Sequence, residues 1–307
     1  MIEATDLRKQ YRSTAALGGF SLRVEAGEIV GLVGPNGAGK TTLIKILATL
    51  LRHDSGRAAI AGHDVVGQPR AVRAVLGYLP DVPGLYSDMR VAEFFEFFAD
   101  AFHIKGGRRA AAVERALARS GLSARRDEFV EHLSLGMKQK LVLARTLLHE
   151  PRVLLLDEPA TGLDPLARIE LRELIKALNR EGVTILISSH ILSDLEDICT
   201  RIVLISAGRN ITDHAQLASG APNKPLVCEI EFLGDADAVL QSVRAAAAAR
   251  VVNSSGQHVR VEVQGGREEA SALLRFLVGQ GVRIVRFDPR EASLEDRYRE
   301  VFGGPAA

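Results

Sequence analysis

The stretch that most constrains the fold is GPNGAGKT, residues 34–41, which matches the pattern G-x-x-x-x-G-K-[ST] in full. An apolar, β-rich run, EIVGLV, precedes it, and KTTLIKILATLL continues from it with helical spacing. In a loop between a strand and a helix, glycines remove the Cβ atoms that would keep backbone N–H groups from converging on phosphate oxygens. The order of strand, glycine loop and helix therefore predicts an α/β domain with a phosphate site.

Two side chains of this loop have their own chemistry. Lys40 supplies a positive charge for the β- and γ-phosphates of a nucleotide, and the Thr41 hydroxyl can ligate Mg2+. The helix that begins near Lys40 adds its positive end. The residues predicted to form the phosphate site are Gly34, Pro35, Asn36, Gly37, Ala38, Gly39, Lys40, Thr41 and Thr42.

VLLLDEP, residues 153–159, is the second half of the predicted site. Its apolar residues predict a buried strand, and the carboxylates of Asp157 and Glu158 follow at the end of that strand. Asp157 fits the carboxylate on the magnesium side of P-loop NTPases, and Glu158 is placed to polarise an attacking water. Two surface charges that end a strand are the alternative interpretation, and the presence of residues 34–41 argues against it.

A second candidate anion site lies in LSLGMKQKLVLART, residues 133–146. Ser134 precedes Gly136 and a basic, apolar-periodic segment, which is typical of a capped helix N-terminus that can hold an anion. One nucleotide needs one phosphate site, whereas this chain carries two. The sequence thus raises the question of which anion the second site serves.

Composition restricts the class of partner. The 307 residues include 39 basic and 38 acidic side chains, a formal net charge of +1, which indicates no general attraction to nucleic acid or to an anionic membrane. Two cysteines, Cys199 and Cys228, are too few for a disulfide framework and suit a reducing cytoplasm. Because no apolar run approaches the roughly 20 residues that span a bilayer, we expect any membrane role to come through a partner.

The remaining segments predict two domains. Continuous apolar runs that alternate with helical segments place an α/β domain at residues 1–220, with a helical subdomain at about 85–150. Gly, Pro, Ser and Asn concentrate in residues 218–225, which indicates a linker. In residues 221–307 the order strand, helix, hairpin, helix, strand predicts a small ferredoxin-like α+β domain, with a last helix at SLEDRYREVF. The alanine run 245–249 is expected to be helical.

Together these motifs resemble the nucleotide-binding subunits of ATP-binding cassette (ABC) transporters over residues 1 to about 220. LSLGM resembles the LSGGQ signature of the family, TGLDP resembles its D-loop, and SSH ends at His190, where the family has its switch histidine. Tyr11 lies about where the family stacks an aromatic ring on adenine. The resemblance implies a P-loop NTPase fold of the ABC cassette type, with ATP as substrate and Mg2+ as cofactor.

The resemblance also implies which anion the second site serves. In the family two cassettes pair head to tail, so Ser134 and Gly136 would contact ATP that is bound to a second ATP-binding subunit. The Asp164 region would carry the contact between the two sites, and His190 would hold the γ-phosphate and the attacking water. The full set of motifs makes two identical sites possible, so we expect a homodimer, and a heterodimer stays open as the alternative.

The sequence departs from the family pattern in two motifs. Asp81, in LPDVPGLY, stands where the family has a glutamine that reaches the magnesium and the attacking water, and we expect this aspartate to act as a carboxylate variant. In the signature, Leu135 replaces the first glycine and Met137 replaces the glutamine. The capping Ser134 and the following Gly136 remain, so contact with phosphate is still expected.

EFFEFFADAF is the most unusual stretch of the chain. Phe94, Phe95, Phe98 and Phe102 fall on one helical face, which predicts the core of the helical subdomain. Phe97 points elsewhere, and in the family this subdomain and the Q-loop form the groove that receives a coupling helix of the membrane subunit. An exposed aromatic residue there would mark a docking site.

The sequence favours the ATPase subunit of an exporter that acts with separate integral-membrane permease subunits at the cytoplasmic face of the membrane, and not with nucleic acid. The segment ASLEDRYREVF resembles the tails of drug, antibiotic, sodium and polysaccharide exporters. Two alternatives stay open, a cassette ATPase that acts on nucleic acid or the ribosome and a regulatory nucleotide binder. The short stretch from Asp81 to Leu133 has no room for the long coiled coils of the DNA group. Glu158 argues against a purely regulatory role.

Overall fold

The computed structural model describes residues 1–12, 14–82, 84–189, 192–214, 226–246, 249–291 and 298. Its internal contacts divide the chain into two compact units, Met1–Ala218 and Ser219–Ala307. His190, the whole predicted linker and all of the predicted last helix except Tyr298 lie outside the described residues. Within the described part of the chain, no helix is long and apolar enough to cross a membrane.

In the first unit the apolar runs form strands and the segments with helical spacing form helices. The strands are β1 (Ile2–Tyr11), β2 (Thr14–Val24), β3 (Ile29–Val33), β4 (Ser55–Ile60), β5 (His63–Asp64), β6 (Leu76–Leu79), β7 (Val153–Asp157), β8 (Thr184–Ser188), β9 (Arg201–Ser206) and β10 (Arg209–His214). The helices are α1 (Lys40–Leu47), α2 (Pro69–Val75), α3 (Val91–Ala101), α4 (Gly107–Ser120), α5 (Leu135–Thr146), α6 (Pro165–Arg180) and α7 (Leu192–Glu196).

The central sheet positions the predicted site. Its strand order is β10-β9-β3-β8-β7-β6, with β9, β3, β8, β7 and β6 parallel and β10 antiparallel at the edge. The strands β3, β7 and β8 are buried along their whole length, as their continuous apolar runs predict. Since parallel strands end at the same edge of a sheet, the loop after β3 and the carboxylates after β7 meet there.

Two further layers complete the first unit. An antiparallel sheet with the order β2-β1-β4-β5 shares one apolar core with α1 and the central sheet, and this core includes Phe20, Leu43 and Leu155. The helices α3, α4 and α5 pack around a separate core that includes Phe94 and Phe95. These three helices form the predicted helical subdomain.

The second unit has the predicted order of strand, helix, hairpin, helix and strand. Its elements are β11 (Leu226–Leu233), α8 (Ala236–Ala245), β12 (Ala249–Ser255), β13 (His258–Val263), α9 (Arg267–Gly279) and β14 (Arg283–Glu291). The antiparallel sheet has the order β12-β13-β11-β14. Alternate residues of β11, including Cys228 and Ile230, pack with Val239 of α8 and Leu273 of α9.

Two helix boundaries differ from the sequence prediction. The helix α1 ends at Leu47, because the backbone turns at Thr49, with φ 61°, and the N–H groups of Leu50 and Leu51 both donate to the Lys45 carbonyl. The alanine run is not helical throughout, since α8 ends at Ala245 and Ala249 already pairs with β13. Helix propensity gives way there to the pairing of a hairpin.

One phenylalanine also differs from the prediction. Phe94 and Phe95 are fully buried and Phe98 is partly buried, as expected of one apolar face. Phe102 is 38% exposed because it caps the C-terminus of α3, where its ring stacks on His149 at a centroid distance of 4.2 Å. The core face of α3 therefore ends one turn earlier than the pattern predicts.

Candidate nucleotide site

The glycine loop lies between β3 and α1, and two of its glycines leave no room for a side chain. A Cβ atom on Gly34 would lie 2.2 Å from the Ile205 carbonyl oxygen. Gly39 has φ 108°, and a Cβ atom there would lie 2.5 Å from the carbonyl oxygen of Ala16. Because glycine has no Cβ atom, the loop can pass close to these neighbours at both positions and lead directly into the N-terminus of α1 at Lys40.

Lys40 lies inside the loop, and its side chain is 7% exposed. Its Nζ donates to the carbonyl oxygens of Gly34 at 2.6 Å and of Pro35 at 3.3 Å. The same Nζ lies 3.9 Å from Oε1 of Glu158. A buried ammonium held by two carbonyls and one carboxylate is a cationic centre at which phosphate oxygens can bind.

A cavity of about 440 Å³ opens over this loop. It is lined by Tyr11, Ala16, Asn36, Gly37, Ala38, Gly39, Lys40, Thr41, Thr42, Asp81, Glu158 and Thr161. The structure thus brings most of the predicted phosphate site together with the predicted adenine-stacking ring, the Q-loop aspartate and the candidate base. The volume is within the usual range for small-molecule sites.

Asp157, the last residue of β7, is buried next to a hydroxyl on each side. Its Oδ1 accepts hydrogen bonds from Ser188 Oγ at 2.7 Å and from Thr41 Oγ1 at 3.4 Å. Its Oδ2 is buried and has no hydrogen-bond partner among the described residues. Burial raises the pKa of Asp157 above its ordinary value, and the two hydroxyl donors oppose that rise.

These features fit a magnesium ion. An unpartnered, buried carboxylate oxygen beside the Thr41 hydroxyl offers hard oxygen ligands, which Mg2+ prefers. Over the described residues, no group of three or more His, Cys, Asp or Glu side chains is arranged to hold a metal by itself. Mg2+ is commonly bound through one or two carboxylates and the phosphates of a substrate, so a small protein ligand set suits this ion.

Glu158 adopts a backbone conformation that non-glycine residues rarely have, with φ 52°. Its N–H donates to the Ser188 carbonyl at 3.2 Å and to Ser188 Oγ at 3.0 Å. Because this turn follows Asp157 directly, the two carboxylates take different positions, with Asp157 in the interior and Glu158 at the cavity wall.

Asp81 faces the same carboxylates. The charges of Asp157 and Asp81 add to burial and raise the pKa of the Tyr78 hydroxyl to about 12. The charge of Asp81 also contributes to the raised pKa of Asp157. The site therefore concentrates negative charge next to Lys40, and a bound cation would relieve the repulsion.

The second predicted anion site lies elsewhere in the first unit. Ser134 caps α5, and its Oγ accepts a hydrogen bond from the Met137 N–H at 3.3 Å. Leu135, the first residue of the helix, is exposed, and neither Ser134 nor Gly136 is among the residues that line the cavity. The end of α5 is therefore open to an anion that the cavity of the same chain does not hold.

The D-loop adjoins that helix end. Asp164 caps α6, and its Oδ1 accepts a hydrogen bond from the Ala167 N–H at 2.9 Å. A Cβ atom on Gly162, which has φ 75°, would lie 3.2 Å from Cδ2 of Leu135. The leucine that replaces a signature glycine thus packs on the D-loop, and the two segments form one exposed surface.

Sequence reasoning missed two residues that support the site. Ser188 bonds both Asp157 and the Glu158 backbone, and its position opposite Asp157 follows from the pairing of β7 with β8. Thr161 lines the cavity through the turn after Glu158. The SSH motif was the available signal for Ser188, but that motif pointed to His190, which lies outside the described residues.

This geometry defines a nucleotide-binding site of the P-loop kind, and comparison with known proteins places it in a family. The sequence pattern of the ABC transporter family matches residues 17–161. The chain is 34% identical over 307 residues to the daunorubicin resistance ATP-binding protein DrrA2 of Streptomyces coeruleorubidus, a match that covers 98% of this chain and 95% of that protein. It is 35% identical over 307 residues to the Nod factor export ATP-binding protein I of Burkholderia lata, a match that covers 98% of this chain and 97% of that protein.

The chain therefore belongs to the ABC transporter family, and it is a nucleotide-binding ATPase subunit. Solved structures agree with this assignment. The ATP-binding subunit of an ABC transporter is similar with a TM-score of 0.64 and 32% identity, over 70% of this chain and 90% of that one. A dimeric ATP-binding cassette in a post-hydrolysis state shares the fold with a TM-score of 0.65 and 22% identity. The match covers 72% of this chain and 100% of that one. The predicted ABC cassette fold is confirmed.

Proposed function

We propose that this protein hydrolyses ATP with Mg2+ as one half of a pair of cassettes, and that the pair drives export through separate permease subunits. The observation that carries the proposal is the single cavity that combines the glycine loop, Lys40, Asp81 and Glu158. The similarity to the daunorubicin resistance and Nod factor export proteins extends over nearly the whole chain, which supports export rather than import.

Residues 34–42 would bind the phosphates of ATP. The backbone N–H groups of the loop and the positive end of α1 offer hydrogen bonds and a favourable dipole to the phosphates. Lys40 would exchange its bonds to Gly34 and Pro35 for bonds to the β- and γ-phosphates. The exposed ring of Tyr11 at the cavity rim offers a stacking surface for adenine.

Thr41, Asp157 and Asp81 would hold Mg2+, with Asp157 contributing its unpartnered oxygen directly or through a water. When bound, the ion would neutralise charge on the phosphates during transfer. Ser188 keeps Asp157 oriented through its 2.7 Å hydrogen bond. The Asp81 carboxylate, one methylene shorter than the glutamine of the family, would supply an oxygen ligand there.

Glu158 would act as the general base. A water that attacks the γ-phosphorus forms a new P–O bond while the bond to the β–γ bridging oxygen breaks, and the proton of the water passes to the Glu158 carboxylate. The Lys40 ammonium, 3.9 Å from Glu158, stabilises the carboxylate before the transfer. His190 is proposed to hold the γ-phosphate and the water.

The capped end of α5 supports a pair of subunits. Ser134 and Gly136 do not line the cavity of their own chain, so we assign them to ATP bound by a second copy. Asp164 and Gly162, which lie next to the helix end, would form part of the contact between the two copies. On this arrangement ATP holds two subunits together, and hydrolysis releases them.

An apolar surface beside the Q-loop is the proposed contact with the permease, which would hold this subunit at the cytoplasmic face of the membrane. Val82 is 83% exposed and Phe97 is 43% exposed. The rings of Tyr86 and Phe97 pack edge to face at 5.2 Å, so both aromatic rings are held at the surface. Exposed, preordered aromatic side chains are frequent anchors of protein interfaces.

The test is the Mg2+-dependent ATPase activity of the purified chain, alone and together with its membrane partner. Lys40→Ala should lose ATP binding, whereas Glu158→Gln should bind ATP and hydrolyse it at least ~100-fold more slowly, the effect expected of a general base. Lys45→Ala, an exposed lysine on the same helix, is the matched control and should match the unmodified protein. An unmodified protein that binds ATP without hydrolysing it would refute the proposal.

A further inference from the structure

Gln139 is a buried polar residue that does not line the nucleotide cavity. It lies in the second turn of α5 and is 7% exposed. Its Nε2 donates a hydrogen bond to the Pro159 carbonyl oxygen at 2.8 Å. Pro159 directly follows Glu158, so the helix capped by Ser134 is joined by a buried hydrogen bond to the turn that presents the candidate base.

That turn needs support from both sides. Glu158 has φ 52°, a left-handed conformation that costs free energy for a residue with a side chain, and the proline after it restricts its backbone further. On the N-terminal side, the Glu158 N–H is fixed by two bonds to Ser188. On the C-terminal side, the Thr161 N–H donates to the Glu158 carbonyl at 3.2 Å within the turn, and Gln139 donates to the Pro159 carbonyl from outside it.

Two contacts from residues near Gln139 on α5 reach α6 rather than this turn. Lys140 Nζ lies 2.7 Å from Glu170 Oε2, and a Cβ atom on Gly136 would lie 3.0 Å from Ala167 Cβ. These contacts do not touch residues 158–159. The bond from Gln139 therefore makes the backbone at Glu158 depend on the position of α5.

We infer that Gln139 is a positioning residue for Glu158. Through its bond to Pro159, it couples the position of α5 to the orientation of the Glu158 carboxylate within the same chain. The inference rests on the proposed role of Glu158 as the base. When the N-terminus of α5 engages a phosphate, the Gln139 amide holds the turn in its left-handed form. When α5 shifts, the turn loses its bond to Gln139 and keeps only the local bond from Thr161, so the base is no longer aligned.

The test compares three variants of the full chain. Gln139→Met removes the donor at similar volume, Gln139→His keeps an N–H donor, and Lys140→Met removes the neighbouring contact to α6. The measurements are kcat and KM for Mg2+-ATP, the Kd of a non-hydrolysable ATP analogue and the midpoint of thermal unfolding. We expect kcat of Gln139→Met to fall about tenfold, as one lost hydrogen bond predicts. Its analogue Kd should stay within about twofold of the unmodified value.

The two companion variants complete the prediction. Gln139→His should recover kcat to within about threefold of the unmodified protein, and Lys140→Met should leave kcat within about twofold. If Gln139→Met does not fold, Gln139→Glu replaces it, since a carboxylate has nearly the same shape and repels the Pro159 carbonyl. The same loss of kcat is then expected.

Three results would overturn the inference. They are an unchanged kcat in Gln139→Met, an equal loss in Lys140→Met, and a Gln139→His variant as slow as Gln139→Met. Failure of the proposed function has a different signature, namely no turnover by the unmodified protein or full turnover by Glu158→Gln. The two failures are therefore measured separately.

Discussion

Replacement of Ser188 by alanine should weaken both stability and catalysis, because one buried hydroxyl supports both carboxylates. Ser188 is fully buried, donates to Asp157 Oδ1 at 2.7 Å and accepts from the Glu158 N–H at 3.0 Å. The Glu158 N–H keeps its bond to the Ser188 carbonyl in the variant, so the main loss is the bond to Asp157. A hydrogen bond to a charged group contributes about 1.5–3 kcal/mol.

This loss has a thermal and a kinetic consequence. For a domain of this size, 1 kcal/mol corresponds to a change of about 2–4 °C in the unfolding midpoint, so Ser188→Ala should lower the midpoint by roughly 3–12 °C. Asp157, left with the longer Thr41 contact, is then free to turn, and kcat for Mg2+-ATP should fall by about tenfold, or ~1.4 kcal/mol of barrier. Calorimetry and a phosphate-release assay measure the two effects.

Thr184→Val is the matched control for this experiment. Thr184 is fully buried at the other end of β8, and its Oγ1 accepts a hydrogen bond from the Gly27 N–H at 3.0 Å. The variant should lose about 1 kcal/mol of stability and keep its kcat within about twofold. An unchanged midpoint and kcat in Ser188→Ala, or an equal loss of kcat in Thr184→Val, would refute the reasoning.

Three other substitutions have distinct expected outcomes. Asp81→Gln should leave kcat within about tenfold, because the amide keeps an oxygen ligand at the metal, and a complete loss of turnover would contradict the carboxylate-variant interpretation. Tyr11→Ala should raise the Kd for ATP by about tenfold, the cost of one lost stacking contact, while Gln10→Ala should not; equal binding by both variants would exclude stacking. Phe97→Ser should keep the ATPase activity of the isolated chain and abolish co-purification with the permease, and retained co-purification would exclude the docking surface.

The sequence was sufficient for the elements whose chemistry is local. Residues 34–41 predict a phosphate-binding loop because their glycines, lysine and threonine act through their own backbone and side chains. The apolar run 153–156 predicts a buried strand without reference to the rest of the sequence. The Ser134 cap follows from residues within one helical turn. The order of elements in the second unit was likewise predicted correctly from alternation and turns.

The remaining features depend on contacts between distant segments. Ser188 meets Asp157 because β7 and β8 pair in one register, and the sequence does not contain that register. Gln139 reaches Pro159 only after α5 has packed against the turn, and its position among lysines and leucines resembles that of a solvated residue. Ala249 shows the opposite error, since local helix propensity there is overridden by its pairing with β13 in a hairpin.

The most direct test of a site completed by two copies is the mass in solution of Glu158→Gln with ATP and Mg2+. This variant should bind ATP and retain it, so the capped end of α5 in one copy can engage the nucleotide of another. We predict a shift from one chain to two, which Ser134→Ala should weaken and removal of Mg2+ should reverse. A variant that binds ATP and remains a single chain under these conditions would contradict the claim that two copies complete the site.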